Sequence, residues 1–138
     1  MLSSMNTLQV LLLITTALIL GGCASTPKSI GGNYALVSLS NTDTTLDESI
    51  IMHVSQNSIA GSGPVNRWQA AINDGKIGPM TSTRRAGPPQ LMQYESDLLT
   101  ALEGAKFNLD EHGALTFKQK RDVTATFQYV EINPDTSK

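Results

Sequence analysis

Residues 61–102 read GSGPVNRWQAAINDGKIGPMTSTRRAGPPQLMQYESDLLTAL, and the reading of this stretch decides the fold. Trp68, Ala70 and Ile72 alternate with Gln69, Ala71 and Asn73, the period-two pattern of a strand with one face toward a core. Asn73-Asp74-Gly75 marks a tight hairpin, because Asp-Gly readily takes the positive φ angles of such a turn. Lys76–Met80 reads as the returning strand. Thr83–Pro89 cannot be regular structure, since Gly87 and two prolines interrupt it. Pro89 suits the first helical turn, where its missing N–H would have had no partner. Leu91, Tyr94, Leu98 and Leu102 follow at helical spacing, Leu99 and Ala101 widen the stripe, and Gly104 supplies the stop. The stretch predicts a hairpin, then one amphipathic helix laid on a sheet.

Working outward, Gly61 and Gly63 stand one residue apart, but neither a dinucleotide fingerprint nor a Walker pattern is completed around them. They read as a bulge or tight bend in a curved sheet. Toward the N-terminus, Ile50, Met52 and Val54 alternate with Ile51, His53 and Ser55, and Gln56-Asn57 turns the chain. Before them Asn33–Leu39 reads as a first strand and Ser40–Thr45 as a polar loop. Toward the C-terminus, Phe107 and Leu109, a turn at Asp110–Gly113, then Leu115 and Phe117 form a second hairpin. Lys118–Asp122 reads as a charged connection. Ala125, Phe127 and Tyr129 alternate before Val130 and Ile132 switch phase, which hints at a bulge, and Asn133-Pro134 ends the domain. The expected class is α+β and mainly β, with one packed helix.

The chain has 138 residues, room for one domain of roughly 100 residues once a leader is removed. The ten Lys and Arg are scattered and the formal charge is -2, so nucleic acid is not an expected partner. A single cysteine excludes an intrachain disulfide and any multi-cysteine metal site. His53 lacks a paired nucleophile, and His112 sits at a turn tip beside two carboxylates, where a solvated turn outweighs a metal site. Asp43, Asp47, Glu95, Asp97 and Asp110 show no pairing that sequence establishes, and no Gly-x-Ser-x-Gly or His-Glu-x-x-His occurs. No catalytic residue, metal or cofactor is expected.

Residues 1–22 have the form of an export signal. Val10–Leu20 is apolar except for Thr15 and Thr16, too short to span ~30 Å of hydrocarbon but long enough for a signal-peptide core. Met1–Gln9 carries no Lys or Arg, so only the terminal amine is positive there, and Met5 is an alternative start. Leu20-Gly21-Gly22-Cys23 resembles the bacterial lipobox, in which the cysteine thiol is acylated. The alternative is a small buried Cys23 in an ordinary secretory signal. With the lipobox used, residue 23 opens the mature chain and carries acyl chains such as palmitate, a firm anchor at about 0.8 kcal/mol per buried CH₂. Ala24, rather than Asp, favours the outer membrane under the sorting rule that comes with this resemblance. Residues 23–32 then form the lipidated cysteine and its flexible tether, 33–132 the folded domain and 133–138 a tail.

The ordered motifs Gly61-x-Gly63-x-x-Asn66-Arg67, a hairpin, Thr83-Arg84-x-Ala86-x-Pro88 and Leu98-Leu99-x-Ala101-Leu102 resemble the META domain of HslJ-like bacterial envelope lipoproteins. The resemblance covers roughly residues 33–132. It implies a small, mostly antiparallel, curved barrel-like sheet with one helix, an association with heat and envelope stress, and no established catalytic residues. Many members carry one cysteine before the Asn and another between the Ala and the Pro. Here those positions are Val65 and Gly87, and the joint absence implies that the two loops lie close in space. Asn66, Arg67, Thr83 and Arg84 are the polar residues that match. They read either as a binding patch or as a brace in which Asn66 and Thr83 satisfy loop backbone groups while Arg67 and Arg84 cross the bends.

Three functions fit these residues to different degrees. The favoured one is a non-catalytic accessory protein, anchored at the outer membrane and facing the periplasm, that binds another envelope protein under stress. The second is a small-ligand carrier using a barrel mouth, which requires an apolar cavity on the order of 300 Å³. A hydrolase is the weakest.

Overall fold

The computed structural model describes residues 29–40, 42, 46 and 48–132. The expected export signal, Cys23, most of the expected tether, Asn133-Pro134 and the expected tail lie outside the described residues. Within them the elements run β1 (Gly32–Leu39), β2 (Ile51–Val54), β3 (Ser58–Ser62), β4 (Arg67–Asn73), β5 (Lys76–Ile77), β6 (Thr81–Ser82), α1 (Pro89–Leu102), β7 (Lys106–Leu109), β8 (Ala114–Gln119) and β9 (Asp122–Val130).

Alternating apolar residues place one face of each strand inward, and short turns make chain neighbours pair antiparallel. The order β3-β2-β1-β9-β8-β7-β5-β4 returns to β3 through a β3–β4 ladder, so eight strands close into a barrel and β6 adds beside β4. The sheet is curved, antiparallel and barrel-like, as the resemblance implies. Tyr34, Met52, Ile59, Phe117 and Phe127 fill its interior, each at most 1% exposed. Phe117 and Phe127 meet edge to face with ring centroids 5.7 Å apart.

The helix falls where the Leu stripe predicts it, with Pro89 in its first turn. Tyr94, Leu98, Ala101 and Leu102 are its buried apolar residues, and α1 packs on β8 and β9. Full burial of a leucine contributes about 1.5–3 kcal/mol, and Leu98 and Leu102 are both 0% exposed. Gly104 takes φ +71 at the stop. The orphan carbonyls of the last turn are met from the barrel. Gln119 Nε2 donates to the carbonyls of Thr100 (2.6 Å) and Glu103 (2.8 Å), and Thr124 Oγ1 to that of Ala101 (2.7 Å).

Asp74 and Gly75, at φ 49° and 71°, form the expected hairpin turn between Asn73 and its partner Lys76. The returning strand differs from the continuous Lys76–Met80 of the sequence reading. Gly78 N–H still bonds the Ala71 carbonyl at 2.8 Å, but Pro79 has no N–H to offer and the ladder breaks. Pairing with β4 resumes at Thr81–Ser82 as a separate strand.

The charged connection Lys118–Asp122 is in fact a tight turn: Gln119 pairs with Asp122, and Lys120 adopts φ 57° without a glycine to signal it. Bulges fall at Val37 and Thr124, the residues skipped in the β1–β9 and β8–β9 registers, rather than near Val130. The bulge at Thr124 accompanies its hydroxyl contact with the end of α1.

Candidate functional site

The β3–β4 loop is closed by a 2.7 Å bond from Gly63 N–H to the Asn66 carbonyl, with Pro64 supplying a fixed φ inside the turn. Asn66 and Glu95 are the buried polar residues of the core region, each 4% exposed. Asn66 Nδ2 donates to Glu95 Oε1 at 2.6 Å, while Glu95 Oε2 accepts the N–H groups of Asn66 (2.8 Å) and Val65 (3.1 Å). Asn66 Oδ1 in turn accepts from Thr83 Oγ1 (2.9 Å) and from the Arg85 N–H (2.7 Å). Thr83 Oγ1 accepts the Arg67 N–H at 3.2 Å. One helix carboxyl group and one amide thereby tie α1, the β3–β4 loop and the segment after β6 together. Irregular segments have no ladder for their buried backbone groups, and these side chains take its place.

Two glycines make this junction fit. A Cβ on Gly63 would run into the Glu95 carboxyl group, and one on Gly87 would stand 2.7 Å from Val65 Cγ2. The loops carrying Val65 and Gly87 are therefore in contact. Gly61 serves a close approach rather than a bend: a Cβ there would lie 2.9 Å from both Trp68 Cη2 and the Ile51 carbonyl. Trp68 is 3% exposed, and its indole N–H has no partner among the described residues.

Of the four residues singled out in the sequence, the structure joins Asn66 directly to Thr83 and leaves Arg67 and Arg84 exposed. The guanidinium groups of Arg67, Arg84 and Arg85 make no hydrogen bond or ion pair among the described residues. Beside them an open cleft of about 330 Å³ is lined by Arg67, Trp68, Gln69, Thr81, Ser82 and Thr83. Among the described residues β6 ends the strand order and pairs only with β4, so its other edge has no strand partner there.

Sequence reading missed Glu95 as the hub. Its signal was a charged residue inside the apolar stripe, four after Leu91 and three before Leu98. His53 lies on the outer face, with Nδ1 3.0 Å from Asn33 Oδ1, and His112 Nε2 is 3.5 Å from Glu111 at a solvated turn. No three His, Cys, Asp or Glu side chains converge among the described residues. Burial raises the pKa of Tyr94, and burial first, then neighbouring Tyr129, raises that of Tyr34, whose hydroxyl donates to the Ile30 carbonyl at 2.8 Å.

The META domain matches residues 28–131, and the chain belongs to the META-domain family. No curated protein sequence matches it. Two solved NMR structures share the fold. One superposes with a TM-score of 0.54 at 20% identity over 73% of this chain and 91% of its own. The other, a protein from Burkholderia xenovorans, has a TM-score of 0.52 at 19% identity over 72% of this chain and 82% of its own.

Proposed function

We propose that this META-domain protein is a non-catalytic accessory lipoprotein of the cell envelope, acylated at Cys23, held at the outer membrane facing the periplasm, and acting under stress by binding another envelope protein. The observation that carries the reading is the division of the matching residues. Buried Asn66 and Glu95 form a brace that exposed Thr83 joins at its rim, and on it stand the exposed Arg67, Arg84 and Arg85 beside a strand with one open edge among the described residues. A rigid mount lowers the ordering cost of binding, and an open edge can accept an extended segment of a partner through main-chain bonds. Arginines give such an edge preference for carboxylates. The barrel interior is occupied by large side chains, which favours this surface over an internal ligand.

Anchoring and recognition separate experimentally. Cys23→Ala is expected to abolish lipid labelling and release the protein from the membrane fraction; retention as firm as wild type would remove the lipoprotein assignment. A photocrosslinker at Ser82 is expected to capture one envelope protein reproducibly, more at elevated temperature, while one at Asp74 captures none. Equal capture from both positions would remove the edge as a recognition surface.

A further inference from the structure

A second feature of the surface lies outside the matching motifs. Lys76 of β5 stands directly opposite Lys106 of β7, and Lys106 directly opposite Lys118 of β8, so three lysines form one row across three strands. All three are exposed. Like charges directly opposite in a sheet repel, so this row lowers stability unless something offsets it. Lys120, in the β8–β9 turn, joins them around an open cleft of about 810 Å³ whose other lining residues are Leu99, Thr100, Glu103, Gly104 and Gln119.

Among the described residues this group is offset only in part. Glu103 is the single carboxylate in the lining, and its Oε2 already accepts the Met80 N–H at 2.9 Å. None of the four lysines lies within ion-pair distance of a carboxylate among the described residues. The C-terminal end of α1 opens onto the cleft, but Gln119 and Thr124 already occupy its carbonyls, and a helix end offers only about half a negative charge. Four ammonium groups thus face one carboxylate in a chain whose formal charge is -2.

We infer that this cleft binds a compact anion carrying clustered phosphate groups, through Lys76, Lys106, Lys118 and Lys120. Neighbouring strands lie about 4.8 Å apart, so the row gathers its charges more tightly than an extended acidic peptide, whose same-face carboxylates repeat about every 6.7 Å. A phosphate group concentrates up to two charges and three acceptor oxygens at one point, and lysine meets it as a mobile point charge. The anion is either a phospholipid headgroup or a soluble phosphorylated compound.

Calorimetric titration of the full chain in non-ionic detergent with tripolyphosphate, dihexanoyl phosphatidic acid and hexaglutamate tests this. Saturable binding of tripolyphosphate is expected, weakened at least about tenfold in Lys106→Gln/Lys118→Gln, a change of about 1.4 kcal/mol, and weakened by added salt. Tighter binding of phosphatidic acid than of tripolyphosphate makes the source a lipid headgroup, and weaker binding makes it a soluble phosphate. Absence of saturable binding to both phosphate probes, equal binding by the double variant, or hexaglutamate binding as tight as tripolyphosphate overturns the inference. The double variant is expected to melt at or above the wild-type midpoint without anion, because repulsion is relieved. Lys120→Gln, at the turn tip, gives an independent reading of the same loss.

Discussion

Asn66 Nδ2 lies 2.6 Å from Glu95 Oε1, a buried bond from the β3–β4 loop to the middle of α1. Glu95→Ala would remove the acceptor of one Asn66 Nδ2 N–H, whose other contact is the Arg85 carbonyl at 3.5 Å, and of the backbone N–H groups of Asn66 and Val65. A buried donor left unmet costs about 1–3 kcal/mol, so the expected loss is about 3 kcal/mol or more in urea unfolding. Asn66→Ala acts on the same network, and the double variant should fall short of the sum of the two losses. Strict additivity would contradict a shared brace.

The contact of Gly87 with Val65 gives the next expectation. Gly87→Ala would push a methyl group to 2.7 Å from Val65 Cγ2 and should destabilise the chain. Val65→Cys combined with Gly87→Cys removes that crowding and should form a disulfide under oxidising conditions. Closing a loop of this length is worth about 3 kcal/mol, read as a rise in melting midpoint that reductant reverses. Failure of the pair to oxidise would mean that the two loops are held apart.

Leu98 tests the helix packing. It is 0% exposed, between the barrel and the rest of α1. Leu98→Ala should cost about 2–5 kcal/mol as a cavity substitution. An unchanged midpoint would mean that the stripe does not face the core.

Tyr34 sets an alkaline limit. Burial, then Tyr129, raises its pKa above that of a free phenol. Above pH ~10 the unfolded chain therefore loses this proton first, and stability falls as pH rises toward the folded-state value. Tyr34→Phe should cost about 1 kcal/mol near neutrality through the lost bond to Ile30, and should flatten part of the alkaline decline in a melting-midpoint series. The raised pKa of Tyr94 leaves the remainder. An alkaline decline identical to wild type would contradict a role for Tyr34.

Legibility in the sequence followed local chemistry. Asp74-Gly75 states its turn, and the spacing of Tyr94, Leu98 and Leu102 states a helix and its buried face. The joint replacement at Val65 and Gly87 implied their nearness, which the structure bears out. What stayed hidden depended on partners distant in sequence. Glu95 reads as one acid among several until the Asn66 loop is folded against it. Lys120 gives no compositional sign of its left-handed turn, and the lysine row exists only once β5, β7 and β8 are in register. Gly61 looked like a bend because the indole that needs its space arrives from the next strand.

The most direct test of the account is partner capture by Arg84→Ala in cells, set beside its melting midpoint. Arg84 is exposed and outside the brace, so the midpoint should match wild type while capture of the specific envelope protein is lost. Undiminished capture by a stably folded Arg84→Ala would contradict recognition at this edge. A midpoint lowered as far as that of Asn66→Ala would instead make Arg84 part of the brace.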